Sequence, residues 1–382
     1  MRKITYFLST LLLISSSCRQ DNREYIPPKQ LDDNWTISTP DKEGMDMELI
    51  KEVVLKISND YEGIDGIVAV RHGKLVLDEY FNGYDPEKQH KAFSITKSIV
   101  GALVGIAIEQ GHITSENDSI KDYMGSYLTD KNPALQNLTV KHILTMTTGL
   151  EWVELGDMNS QGMRLPYTND WIEFVLKLPI VSTPGTTYNY SSGNVTLLAP
   201  IIKNSTGIQA DEFADKYLFS PLGIKNYEWV KMSEFWTKTE DGEIPGVKEP
   251  KSLKFDTLFS KFPSTQAGLK MLPRDIAKFG QLYLNNGLWN GKRILTEDWI
   301  SKSTQPQFNN KEYGYLWRLT EYGFNDKKIK CYYGTGFGLQ KLYVFPTLDL
   351  VVVLTQQNYQ RMPKGEKETQ NIINNYILKS VK

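Results

Sequence analysis

Ser94 and Lys97 stand three positions apart at the head of the stretch FSITKSIVGALVGIAIEQG, residues 93–111, whose other side chains are almost all apolar. From Ile99 to Ile108 every residue is apolar or glycine, the pattern of a helix buried on all sides rather than an amphipathic one. Gly111 marks its end. Positions i and i+3 of a helix share a face, and this pair lies at the electropositive amino-terminal end. A serine hydroxyl is a weak nucleophile until a base takes its proton. A lysine whose burial favours the neutral amine can be that base. The plainer alternative makes Ser94 a helix cap and Lys97 a surface residue with a snorkelling stem. Average composition would produce about one or two S-x-x-K in a chain this long. This chain has one, at the head of its most buried-looking helix.

The elements that must position this pair are legible on either side. GMDMELIKEVVLKISND carries Met47, Ile50, Val53, Val54 and Ile57 at helical spacing, and IVAVRHGKLVLDEYF reads as two strands around a turn at His72 and Gly73. Residues 94 to about 260 show helical runs, long polar connections and weak strand signals. KLYVFPTLDLVVVLTQQ, from Lys341, predicts a strand pair, and ETQNIINNYILKS a closing helix. The order fits an α+β sheet with a helical lobe better than a doubly wound fold.

SITK matches the S-x-x-K of the serine β-lactamase and penicillin-binding protein superfamily. In PGTTYNYSSGNVTLLAPII, Tyr190 followed by Ser191 and Ser192 resembles the tyrosine motif of class C β-lactamases and related esterases. Pro184, Gly185, Asn194, Leu197 and Leu198 strengthen the likeness to the branch of 6-aminohexanoate-dimer hydrolases and carboxylesterases. In YYGTGFGLQKLYVFP, Gly334, Thr335 and Gly336 take the place of the family's K-T-G. LTVKHILTMTTGLEW, FADKYLFSPLGIKNYEW and MLPRDIAKFGQLYLNNGLWNGKRIL agree with the same branch, so the resemblance covers roughly residues 60 to 360. It implies a β-lactamase/transpeptidase-like fold, an antiparallel sheet flanked by helices plus a mostly helical lobe at about 94–260. It also implies a serine hydrolase that needs no cofactor and acts on a small-molecule ester or amide. Ser94 would form the acyl-enzyme, Lys97 and Tyr190 would share the proton, and the backbone N–H groups of Ser94 and Phe337 would form the oxyanion hole. Ser192, Gly334, Thr335 and Gly336 would line the substrate site.

The sequence departs from the family pattern twice. Ser192 stands where an asparagine is usual, and Gly334 where a lysine or histidine is usual. In the family these groups hold the amide and carboxylate of a β-lactam or stem peptide. Their replacement leads us to expect activity on short uncharged esters, with linear amides as possible substrates and little turnover of penicillins or cephalosporins. Otherwise a cation from elsewhere, with Lys341 the nearest in sequence, would have to substitute. A class C-like β-lactamase or D,D-peptidase, and a penicillin-binding-type sensor acylated without turnover, remain open alternatives.

Other chemistries lack their residues. No G-x-S-x-G surrounds any serine, and His72, His90, His112 and His142 are scattered without H-E-x-x-H spacing, so no metal site is expected. Gly334, Gly336 and Gly338 precede strand-like KLYVF where a phosphate-binding helix would have to start. Trp152, Trp171, Trp229 and Trp236 fall in the helical region, either lining a cleft above Ser94 or serving as core. The 382 residues are 40% hydrophobic and 12% aromatic, enough for a substantial core, and 44 Lys+Arg against 45 Asp+Glu leave no net charge to attract nucleic acid.

Arg2 and Lys3 precede an apolar run from Ile4 to Ile14, then Ser15, Ser16, Ser17 and Cys18. This reads as a signal peptide over residues 1–17. The small residues before Cys18 resemble a bacterial lipobox, which implies acylation of Cys18. Residues 18–40 are then a lipid anchor and polar tether, and residues 41–382 the hydrolase body, on the outer side of a bacterial envelope membrane. Cys331, the only other cysteine, reads as a small buried hydrophobe. Oligomeric state is left open.

Overall fold

The hairpin forms where the sequence predicts it. In the computed structural model, which describes residues 25–124, 127–128, 133–157, 159–232 and 261–382, β2 (Ile64–Arg71) and β3 (Lys74–Tyr80) pair antiparallel with Arg71 opposite Lys74. His72 and Gly73 both hold positive φ, 50° and 71°, the two-residue turn whose twist matches its strands.

Seven strands make the main sheet. With β1 (Thr36–Ile37) and, from the far end of the chain, β9 (Arg318–Phe324), β10 (Lys327–Thr335), β11 (Lys341–Phe345) and β12 (Leu350–Gln356), the order is β1-β3-β2-β12-β11-β10-β9. All pairs are antiparallel except β1 with β3, so the sheet is mixed rather than purely antiparallel. A three-stranded sheet joins β4 (His90–Lys91), β5 (Tyr227–Trp229) and β6 (Leu269–Met271), and β7 (Leu288–Trp289) pairs with β8 (Lys292–Arg293).

Helices cover both faces of the main sheet, which is why LVVVL in β12 is apolar throughout instead of alternating. Ile67, Ala69, Val352 and Leu354 face one core with Ile50, Val53, Val54 and Ile57 of α1 (Met47–Asp60) and Ile372, Ile373 and Ile377 of the closing helical segment. Val68, Val70, Leu342, Val344, Val351 and Val353 face a second core with α2 (Ile95–Glu109), the helix Pro273–Leu284 and the helical lobe. Asp46 caps α1, accepting hydrogen bonds from the Glu48 and Leu49 amides. Residues 95–107 of α2 are all buried, as their composition requires. Gly105 is obligatory there, because a Cβ would stand 2.5 Å from the Trp299 ring.

Residues 25–40 differ from the expected tether. Trp35 is buried, donates its indole N–H to the Arg274 carbonyl at 3.3 Å and meets Trp289 edge-on, while Arg274 grips Asp33 and Asp78 at 2.8 and 2.6 Å. Apolar burial and a buried charge cluster outweigh the polar composition, so the folded body begins well before Lys42. The signal peptide and Cys18 lie outside the described residues, as do residues 233–260, Trp236 among them.

Candidate active site

β4 delivers the chain to Ser94. His90 pairs with Met271 across β4 and β6, its ring bonded to buried Asp65 at 2.8 Å, and the Ala92 amide donates to the Leu269 carbonyl. Phe93 then takes a positive φ of 45°, a strained conformation for a bulky residue, and packs against Phe337 and Tyr359. This bend places Ser94 at the N-cap of α2. Ser94 makes no capping hydrogen bond with its side chain. Its Oγ lies 2.8 Å from Lys97 Nζ, which also donates to the Gln266 carbonyl at 2.8 Å. Lys97 is 2% exposed, with no carboxylate partner among the described residues. The cap-and-snorkel alternative therefore fails on both residues.

Tyr190 is held by its neighbours. Asn189 donates its amide to the Met146 carbonyl and its side chain to the Trp152 carbonyl, and the Ser191 hydroxyl caps the helix Ser192–Thr196. The Tyr190 ring centroid lies 5.3 Å from Lys97 Nζ. Among the described residues its hydroxyl forms no hydrogen bond, so the two expected proton carriers are adjacent but not bonded.

Gly334 and Thr335 end β10, followed by Gly336 and Phe337. A Cβ on Gly336 would meet the Ala92 carbonyl oxygen at 2.5 Å, so glycine is what lets this strand end approach the bend before Ser94. A Cβ on Gly334 would face Ile95 and Ser98 at 3.4 and 3.5 Å. The Gly336 amide donates to Gln340, whereas the amides of Ser94 and Phe337 have no protein acceptor among the described residues. Unmatched N–H groups at such a site are available to an oxyanion.

Three findings depart from the expected site. Ser192 does not turn its polar groups to a substrate: its hydroxyl donates to Glu154 Oε1 and its amide to Oε2 at 2.8 Å, and Trp152 donates to the same carboxylate at 2.6 Å. Lys341 is no substitute cation, since Glu366 binds it at 2.9 Å and burial pushes its pKa down. Arg318, by contrast, stands beside Tyr190. Opposite Tyr333 in the β9–β10 register, it sets its guanidinium carbon 4.9 Å from the Tyr190 ring centroid. Neither Glu154 nor Arg318 was singled out from sequence, and nothing local signals either. Trp152, Trp171 and Trp229 are buried core residues. Cys331 is buried too, and burial raises its thiol pKa.

A sequence model of the β-lactamase family matches residues 59–374. A 6-aminohexanoate-dimer hydrolase of Paenarthrobacter ureafaciens is 22% identical over 62% of this chain, the match spanning 56% of that enzyme. An uncharacterized protein of Alkalihalophilus pseudofirmus is 26% identical over 69% of the chain and 74% of its own. Among solved structures, the β-lactamase/D-alanine carboxypeptidase of Pseudomonas syringae superposes with a TM-score of 0.62 at 18% identity, covering 85% of this chain and 98% of the other. With a half-buried serine set against a buried lysine at the head of a buried helix, a helix-flanked sheet, and more than four-fifths of its length matched, this chain belongs to the β-lactamase family.

Proposed function

We propose that the protein is a serine hydrolase that cleaves esters or amides through an acyl-enzyme on Ser94. The observation that carries this reading is the 2.8 Å contact between Ser94 Oγ and a buried Lys97 Nζ. In the neutral amine the same contact runs from the serine O–H to nitrogen. The carbonyl of Gln266 takes one N–H and fixes the direction of the lone pair.

Ser94 Oγ attacks the substrate carbonyl carbon while its proton passes to Lys97. The carbonyl oxygen becomes an oxyanion on the amides of Ser94 and Phe337, aided by the amino-terminal end of α2. Collapse breaks the bond to the leaving alcohol or amine, which takes the proton from Lys97 by way of Tyr190. Water then adds to the acyl-enzyme by the same route in reverse and regenerates Ser94. Esters demand less of this machinery than amides, because an alkoxide leaves more readily than an amine. Ser192, committed to Glu154, offers no side-chain amide to a β-lactam.

The test is a panel of p-nitrophenyl esters, short amides and nitrocefin, with intact-mass detection of the acyl-enzyme. Sustained ester turnover that vanishes in Ser94→Ala supports the reading. Acylation without turnover on every substrate would leave a sensor instead, and turnover by Ser94→Ala would remove the nucleophile.

A further inference from the structure

Phe337, whose amide the oxyanion needs, lies in the short loop that joins β10 to β11. Gly336 and Gln340 bracket it, the Gly336 amide donating to the Gln340 carbonyl at 2.9 Å. The Leu339 amide donates to the Gly336 carbonyl at 3.0 Å and closes a turn over Phe337 and Gly338. In a trans peptide the C=O and N–H point opposite ways. The bond from Leu339 therefore turns the Gly336–Phe337 peptide so that the Phe337 N–H faces out of the turn, with no protein acceptor among the described residues.

The loop does not keep this shape by its own preference. Leu339 has a φ of 74°, in the left-handed region that a leucine occupies only when its surroundings impose it. What imposes it is a buried lattice of side-chain amides beneath the loop. Gln356, the last residue of β12, donates from Nε2 to the Leu339 carbonyl at 2.8 Å and to Thr369 Oγ1 at 3.0 Å, and its Oε1 accepts from Asn358 Nδ2 at 2.7 Å. Gln340 grips the Gln356 backbone at both ends: its Oε1 accepts from the amide at 3.0 Å and its Nε2 donates to the carbonyl. The same Nε2 reaches the Phe337 carbonyl at 3.4 Å, and the Asn358 amide donates to the Gly338 carbonyl at 3.1 Å. Every carbonyl from Gly336 to Leu339 is thus bonded. Gln340, Gln356, Asn358 and Thr369 are all buried. Such a network fixes one geometry, because another would leave buried donors and acceptors unpaired.

We propose that Gln356 and Gln340 are positioning residues for catalysis: they hold Leu339 in its left-handed conformation and, through the Leu339 amide, aim the Phe337 N–H at the oxyanion. The proposal rests on the hydrolase reading above and extends it to two side chains that act on the transition state only through the loop backbone.

p-Nitrophenyl acetate and its thionoester, in which sulfur replaces the carbonyl oxygen, test it, since sulfur is a weak hydrogen-bond acceptor and gains little from the hole. Gln356→Met removes the donor to Leu339, and Gln340→Met releases the Gln356 backbone. Each should lower kcat on the oxoester by roughly ten- to a hundredfold with KM nearly unchanged, the cost of a misplaced oxyanion donor. The thionoester should lose much less, so the ratio of the two kcat values shrinks. An equal loss on both esters overturns the proposal, because a variant that is merely less stable loses active enzyme for both alike; an unchanged oxoester kcat overturns it too. Should the variants fail to fold, native-state hydrogen exchange of the parent decides: the Leu339 amide should be protected to within roughly tenfold of the β11 amides, and faster exchange would show a loop that is not held. Ser94→Ala separates the two readings. Turnover that survives there removes the nucleophile, whereas inactive Ser94→Ala beside an unmoved ester ratio removes only the role of the glutamines.

Discussion

Gly336 closes on Ala92 so tightly that a Cβ at residue 336 would stand 2.5 Å from the Ala92 carbonyl oxygen. This contact holds the end of β10, and with it the Phe337 amide, against the bend that presents Ser94. Gly336→Ala should force strand and bend apart, lowering kcat on the best ester at least roughly tenfold with a smaller change in KM, since a lost oxyanion donor is felt in the transition state. Steady-state kinetics decide this, and an unchanged kcat would show that the Phe337 amide is not in the hole.

Lys97→Arg puts a guanidinium beside Ser94, and a guanidinium cannot give up a proton to become a base. It should lose orders of magnitude in kcat. Combining it with Ser94→Ala should cost little more than either alone, as residues acting in one step are not additive. Rapid-quench measurement of acylation would expose a variant that remains a working base.

Glu154→Ala strips the acceptor from the Ser192 amide and hydroxyl and from the Trp152 indole. With donors left unpaired in a mostly buried setting, the fold should lose about 1–3 kcal/mol. Urea unfolding followed by tryptophan fluorescence would register the loss, and a midpoint equal to the parent's would mean that water replaces the carboxylate freely.

Glu43 links the N-terminal turn to the hairpin. Lys74 and Ser38 each reach Oε1 at 2.7 Å, and His72 sits 3.3 Å from Oε2. The Lys74 hydrogen bond, then that from Ser38, lowers its pKa from 4.5 to about 2. A carboxyl depressed in the folded state contributes stability that is complete above its unfolded value and is lost as pH falls toward the folded one. Thermal stability should therefore decline between about pH 4.5 and 2, and Glu43→Gln should show a shallower decline over that window than the parent. Parallel melting curves of the two proteins against pH would refute this.

Cys18 is proposed as the acylated residue of a lipoprotein. Cys18→Ala expressed in a bacterial host should lose incorporation of labelled palmitate and move from the membrane to the soluble fraction. Equal labelling of the variant would exclude Cys18 as the anchor. The described strap from Tyr25, where the Tyr25 hydroxyl donates to the Val76 carbonyl and the Ile26 amide to Glu79, leaves few residues between such an anchor and the folded body.

The sequence by itself determined the elements whose cause is local. A run of apolar residues from Ile99 to Ile108 can only be buried, and a lysine three positions after a serine on that helix must share its face, so the central pair was legible before any tertiary contact. The His72–Gly73 hairpin, α1 and the β11–β12 pair follow from periodicity in the same way. Two further motifs, around Tyr190 and Gly334, were legible as words but not as geometry. Ser192 turned to Glu154, thirty-eight positions earlier, because a carboxylate there satisfies three donors at once. Residues 25–40 looked like a tether until Trp35 found a pocket against Trp289 and the parallel pairing of β1 with β3 closed the sheet edge. Arg318 reached the site because it stands opposite Tyr333 in one particular register of β9 on β10, and a shift of one residue would turn it to the other face. Register is set by the packing of whole sheets against both cores, a sum over distant residues that no local pattern contains, and it is this that decided which cation stands beside Tyr190.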